Sequence, residues 1–116
     1  MFTLQTEERI KIRMDEVQVV KNELLIEKRQ LEFEIRELTI EYEKIKLRLE
    51  LFGKIREKHY WGVEDFENNY ITPLLEIRMR KKEELESKTT ENNTKIAQIN
   101  NIIKQIDEIN EESKIK

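Results

Sequence analysis

The chain has 116 residues, of which 41% are charged and 37% are hydrophobic, with two glycines, one proline and no cysteine. This composition is typical of long solvated helices and predicts an all-α fold. The 22 basic and 25 acidic residues nearly balance, which argues against general binding of nucleic acid or of anionic membranes. The lack of cysteine excludes a disulfide framework, and no apolar run is long enough to span a membrane, so we expect a cytoplasmic (intracellular) protein.

The first predicted element is a helix from about residue 6 to residue 52, because no Gly or Pro occurs before Gly53. Its apolar residues follow the heptad spacing of a coiled coil. This inner row consists of Ile10, Met14, Val17, Leu24, Leu31, Ile35, Leu38, Tyr42, Ile45, Leu49 and Phe52. Lys21 and Lys28 interrupt the row at positions where an apolar residue is expected. The inner row predicts that the helix packs against a second helix of the same chain.

A second apolar row recurs along the same helix at strict intervals of seven residues. This outer row consists of Ile12, Val19, Ile26, Phe33, Ile40 and Leu47. By heptad geometry it lies on the side of the helix opposite to the inner row. An exposed row of six large apolar side chains exceeds what monomeric proteins usually show, so we expect another chain to cover it. A second copy would give a homo-oligomer, a dimer or higher, with a four-helix or larger bundle. A different coiled-coil chain would satisfy the same surface.

Residues 53–72 form the predicted tip of a helical hairpin, bounded by Gly53 and by Pro73. Pro73 disfavours helical geometry at Thr72, so we expect Thr72 to cap a new helix that begins at Pro73. Five of the eight aromatic residues occur in this region or at its edge. The candidate contact residues are His59, Tyr60, Trp61, Phe66 and Tyr70. Two interpretations stay open: a small core that closes the hairpin, or a contact site for a partner.

The second predicted helix runs from residue 73 to about residue 112, so residues 1–116 form a single antiparallel coiled-coil hairpin. Folding the chain about residue 58 places Lys21 opposite Lys95 and Lys28 opposite Lys88, with Glu91 and Asn92 as candidate partners for Lys21. The second helix also carries a basic patch of Arg78, Arg80, Lys81 and Lys82. Such a patch in an acidic chain is most often a solvated face paired with nearby glutamates.

The sequence predicts no catalytic, cofactor-binding or metal site. It has no cysteine, a single histidine and no glycine-rich phosphate loop, and its many glutamates follow the pattern of solubilising charge. We therefore expect a protein that is not an enzyme and has no cofactor. The predicted function is that of a structural or scaffolding coiled-coil subunit that binds protein partners through the outer row. The alternative is a chaperone-like or adaptor hairpin that holds a client through its aromatic tip or an apolar groove.

Overall fold

The computed structural model describes residues 3–58 and 63–115, which contain helices and no β-strand. Helix α1 spans Thr6–Lys58, α2 spans Val63–Phe66, a π-helical segment spans Glu67–Ile71, and α3 spans Thr72–Ile115. The two long helices form a helical hairpin, which confirms the predicted all-α fold. Assembly into a larger bundle stays a prediction.

Helix α1 continues six residues beyond its predicted end at residue 52 and passes through Gly53. A Cβ atom at Gly53 would meet no other atom within 4 Å, so packing does not require glycine here. Across this position Glu50 and Lys54 form an i,i+4 ion pair of 3.5 Å. Arg56 then anchors the last turn, because its Nη1 donates a 2.7 Å hydrogen bond to Oε1 of Glu67. One glycine between helix-supporting pairs therefore does not end the helix.

The start of α3 also differs from the prediction. Thr72 has helical dihedral angles (φ −55°, ψ −46°) and is not the extended cap that we expected before Pro73. The backbone accommodates the proline in another way, because the N–H of Thr72 bonds to the carbonyl of Glu67, five residues earlier. Proline has no N–H, and its ring crowds the preceding turn of a regular α-helix. The wider π-helical turn lets helical backbone enter α3 without a break.

The chain comprises two compact units. One is formed by the described residues up to Leu31 together with those from Asn93 onward, and the other by Glu32–Asn92. In the first unit Leu31 and Ile99 are buried, and Lys21 forms a 2.7 Å ion pair with Asp107. The first unit therefore joins the beginning of α1 to the end of α3.

The second unit is held by both apolar and charged contacts. Ile71 and Asn92 are buried in it. Lys81 lies 2.9 Å from Glu41, and Lys88 lies 3.4 Å from Glu34, so charged side chains link the two long helices at two levels. Because these side chains are partly exposed, their ion pairs fix orientation more than they add stability.

The predicted register of the hairpin is wrong. The numbers of two residues that face each other were expected to sum to 116. In the second unit the sum is 122 for both ion pairs between the long helices, Lys81 with Glu41 and Lys88 with Glu34. In the first unit Lys21 pairs with Asp107, so this pair does not follow the expected sum either. The physical reason is that α1 continues to Lys58, so the chain reverses later than assumed. The register is therefore set by where α1 ends.

The packed face of α3 departs from a strict heptad repeat. Lys88, Asn92 and Ile96 are partly or fully buried at successive intervals of four residues, whereas the heptad alternates intervals of three and four. Such an insertion, a stutter, locally unwinds a coiled coil and shifts the register of the pairs that follow it. The covered residues of α1 keep a period of seven from Val17 to Phe52. The two helices therefore do not share one repeat.

Candidate assembly interface

The inner row of α1 is the face that the hairpin itself covers. From Val17 to Phe52 each of its residues is half-buried or buried, and so are Lys21 and Lys28, which interrupt it. The exceptions are Ile10 and Met14, which are 53% and 58% exposed, so the covered part of the row begins one heptad later than predicted. Packing against α3 thus accounts for the inner row from Val17 onward.

The outer row remains exposed in both units. Ile12, Val19 and Ile26 belong to the first unit, and Phe33, Ile40 and Leu47 to the second. Their exposed fractions range from 37% for Ile40 to 62% for Leu47. Each residue of the row is far more exposed than the buried Leu31, at 8%, and periodicity keeps all six on the side of α1 away from the inner row. In each unit the predicted interface residues of α1 therefore remain exposed.

Mostly charged residues border the outer row on both sides of α1, with Asn22, Gln30 and Leu51 as the uncharged positions. Helix geometry places the residues three positions after each outer-row residue on one side and those four positions after on the other. The i+3 flank consists of Asp15, Asn22, Arg29, Arg36, Glu43 and Glu50, and the i+4 flank of Glu16, Glu23, Gln30, Glu37, Lys44 and Leu51. All twelve are exposed. An apolar row with charged flanks has the layout of a helix–helix interface, in which the flanks select partner and orientation.

The aromatic tip forms a cluster around Phe52. Its ring centroid lies 6.1 Å from that of Phe66 and 5.7 Å from that of Tyr70, and the latter two are 5.2 Å apart. Phe66 is half-buried, whereas Tyr70 is 52% exposed. These distances are typical of stabilising aromatic pairs, so the described part of the cluster favours the local-core interpretation. The other three candidates, His59, Tyr60 and Trp61, lie outside the described residues.

One feature near the tip was not anticipated from the sequence. A shallow groove is lined by Arg48, Leu51, Phe52, Asn69, Tyr70, Pro73 and Leu74. Leu51 is exposed and lies four residues after Leu47, so it extends the outer row toward this groove. The spacing of Leu51 from Leu47 was the signal available in the sequence.

The basic patch is partly engaged within the hairpin. Lys81 contacts Glu41 at 2.9 Å and Glu84 at 3.3 Å, and its hydrogen bonds to these two carboxylates raise its pKa above the ordinary value. Arg78, Arg80 and Lys82 are exposed. Lys81 therefore serves the hairpin, as expected of a basic residue near glutamates, and the other three lie on the surface.

Three further findings bear on the kind of protein this is. In residues 3–58 and 63–115 no group of three or more His, Asp or Glu side chains is arranged to hold a metal ion. None of the helices in this part of the chain is long and apolar enough to cross a membrane. Comparison of the chain with family models, curated proteins and solved structures finds no match. The exposed surfaces of the hairpin are therefore the features that bear on its function.

Proposed function

We propose that this chain is a non-enzymatic structural subunit that assembles with a protein partner through the outer row of α1. The observation that carries the proposal is the exposure of all six outer-row residues in a hairpin whose inner row is covered from Val17 onward. Apolar rows of this extent on a monomer usually mark interaction sites. Two stiff helices supply the scaffold, and the outer row supplies the contact.

The driving force of assembly is removal of the outer row from water. Each of its side chains leaves a third or more of its surface exposed in the hairpin, and burial of apolar area contributes about 25 cal/mol per Å². The flanks stay at the rim, where their charges remain solvated. A helical partner fits this layout, because a helix presents a matching narrow apolar row.

Light scattering over a hundredfold range of concentration tests the proposal. We expect the purified chain to form a species heavier than its monomer mass of 14.2 kDa. Replacing Ile26 and Phe33 together by Glu places four charges in a two-copy interface and should return the mass to that of the monomer. Helicity measured by circular dichroism should stay high, because neither residue belongs to the covered inner row.

A matched control separates the outer row from exposed apolar surface in general. Ile109 and Met79 on α3 are 56% and 60% exposed, close to the 54% of Ile26 and the 60% of Phe33. Replacing Ile109 and Met79 by Glu should leave the assembled mass unchanged. A wild-type chain that stays at 14.2 kDa throughout would contradict self-assembly and would favour a different chain as the partner.

A second candidate function is that of a chaperone-like or adaptor hairpin, which the groove beside Tyr70 favours. The groove combines exposed apolar side chains, Leu51 and Tyr70, with the charge of Arg48. Suppression of the aggregation of reduced insulin chains tests this candidate, and the reductant does not affect a chain without cysteine. Suppression that disappears when Leu51 and Tyr70 are both replaced by Asp would support client binding. Equal scattering with and without the protein would reject it.

A further inference from the structure

We infer that the outer row binds the outer row of a second copy of this chain, with the two α1 helices parallel and in register. The inference deepens the proposed function and rests on it. Each outer-row residue then faces its own counterpart, for example Phe33 against Phe33. Three alignments of two α1 helices differ in the charges that they bring together and in the apolar area that they cover.

The parallel alignment brings opposite charges together. When two helices run parallel around a two-fold axis, the i+3 flank of one copy faces the i+4 flank of the other. Arg36 then faces Glu37 of the second copy, and Glu43 faces Lys44. By symmetry each contact occurs twice. One heptad beyond either end of the row, Glu8 faces Arg9 and Glu57 faces Lys58. All eight of these residues are exposed in the hairpin, and Glu43 also forms a 3.0 Å ion pair with Lys46.

The parallel alignment brings like charges together at one level only, where Asp15 faces Glu16 of the second copy. Both are carboxylates in the exposed first third of α1. At the remaining levels Asn22, Gln30 or Leu51 is one of the two facing residues, so no like-charge contact arises. Opposite-charge contacts therefore outnumber like-charge contacts four to one in each half of the pair.

An antiparallel alignment that covers the whole outer row is opposed by charge. It places Ile12 opposite Leu47 and Ile26 opposite Phe33, and each flank then faces the same flank of the second copy. Asp15 meets Glu43, and Arg29 meets its own counterpart.

On the other flank of that alignment Glu23 meets Glu37, and only Glu16 with Lys44 is an opposite-charge contact. Like charges that face each other across an interface disfavour an alignment. The full antiparallel overlap is therefore the alignment that the flanks select against.

A second antiparallel alignment, centred on Ile40, satisfies the charges but covers little apolar area. Arg36 would face Glu43 of the second copy, and Glu37 would face Lys44. However, Ile26 would face Lys54, and Ile12 would lie beyond the end of the partner's α1 helix. Only Phe33, Ile40 and Leu47 would meet apolar side chains of the partner's outer row, and Ile12 and Val19 would stay in water.

The number of outer-row residues that meet apolar partners decides between the two charge-compatible alignments. From Ile12 to Leu47 the outer row is about 50 Å long at 1.5 Å per residue, and a helix is about 10 Å wide, so the parallel overlap covers about 500 Å² per copy and reaches about the 1,000 Å² expected of a specific interface. In the alignment centred on Ile40 the two α1 helices overlap over a similar length, about 55 Å, but only three residues of each outer row meet apolar partners. The parallel alignment pairs all six, so it removes more apolar area from water.

Distances between labelled copies test the alignment directly. Because the chain has no cysteine, Asn22→Cys and Leu51→Cys each provide a single site for a nitroxide spin label, at exposed flank positions. In the parallel alignment the label on one copy should lie no more than about 25 Å from the same label on the second copy, for both variants, since packed helices lie about 10 Å apart. In the two antiparallel alignments the Leu51 labels would be about 65 Å or about 33 Å apart.

Exchanging the charges of Arg36 and Glu37 provides an independent test, because the double variant keeps the amino-acid composition of the wild type. Arg36→Glu alone should weaken dimerisation by about fivefold, because it places like charges together twice. Adding Glu37→Arg should restore the wild-type dissociation constant, since the two residues face each other across the parallel pair. In the alignment centred on Ile40 the same double variant would instead set Glu against Glu43 and Arg against Lys44 and would weaken dimerisation further.

The possible outcomes separate the two proposals. Short label distances at both sites together with rescue by the double variant support the parallel pair. An assembled protein with Leu51 labels more than 30 Å apart, or without rescue, overturns the alignment and leaves assembly through the outer row intact. A chain that is monomeric at every concentration overturns self-assembly itself and the alignment with it.

Discussion

Asn92 donates a 2.9 Å hydrogen bond from Nδ2 to Oε2 of Glu34, and the same oxygen lies 3.4 Å from Nζ of Lys88. Asn92 has no exposed surface, whereas the side chains of Glu34 and Lys88 are partly exposed. The bond therefore joins a buried amide on α3 to a carboxylate on α1 that reaches water. A polar residue in a coiled-coil seam lowers stability but fixes the register of the helices. Asn92 occupies the stutter of α3.

Replacing Asn92 by Leu should make the hairpin more stable and less uniform. An apolar side chain at a buried seam position adds about 1 kcal/mol through burial, while loss of the bond to Glu34 removes the contact that selects one register. Thermal unfolding should shift upward by several degrees, and the amide spectrum by NMR should show extra sets of peaks. The control is Asn93→Leu, at the neighbouring exposed position. A lower midpoint for Asn92→Leu would show that the polar contact dominates stability.

Ile99 should be among the most sensitive apolar positions of the hairpin. It is 4% exposed, so truncation to Ala leaves a cavity and removes buried methyl groups. We expect a loss of about 2 kcal/mol in the free energy of unfolding, measured by urea titration with circular dichroism. Ile109→Ala, at an exposed position on the same helix, should change it by less than about 0.5 kcal/mol. Equal effects of the two substitutions would contradict the observed burial of Ile99.

The ion pair of Lys81 with Glu41 should stabilise the hairpin in a way that depends on salt and pH. Hydrogen bonds to Glu41 and then to Glu84 raise the pKa of Lys81 above 10.5. A raised pKa means that the folded state holds the proton more tightly than the unfolded state, so the contribution is complete below pH 10.5 and is lost as pH rises through the folded pKa. The difference in unfolding midpoint between wild type and Lys81→Met should shrink above that pH and in 1 M NaCl.

A double-mutant cycle isolates the pair from other effects of Lys81. Glu41→Gln and Lys81→Met should each lower stability slightly, and the double variant should lose less than the sum of the two. Lys82→Met, at the exposed neighbouring position, serves as the control and should be neutral. Additivity of Glu41→Gln and Lys81→Met would mean that the 2.9 Å contact contributes nothing measurable.

Repetition in the sequence predicted the helices and their faces more reliably than single residues predicted their ends. The inner row identified the covered face of α1 from Val17 onward, and the outer row identified the exposed one. Gly53 was misread as a boundary, since α1 continues past it with the Glu50–Lys54 ion pair across this position. The start of α3 was predicted to within one residue, but a π-helical turn replaces the expected cap at Thr72. A single residue shifts backbone energy by about 1 to 3 kcal/mol, which neighbouring contacts can offset.

By itself the sequence determined that the chain is helical and that α1 has two apolar rows, because the spacing of apolar side chains is a local property that a helix converts into faces. Only the tertiary structure decided which residues face each other, since register depends on where α1 ends and on the stutter at Asn92. It also decided that Lys21 pairs with Asp107 and that Ile10 and Met14 remain exposed. Contacts between residues distant in the chain follow from packing, which no local pattern specifies.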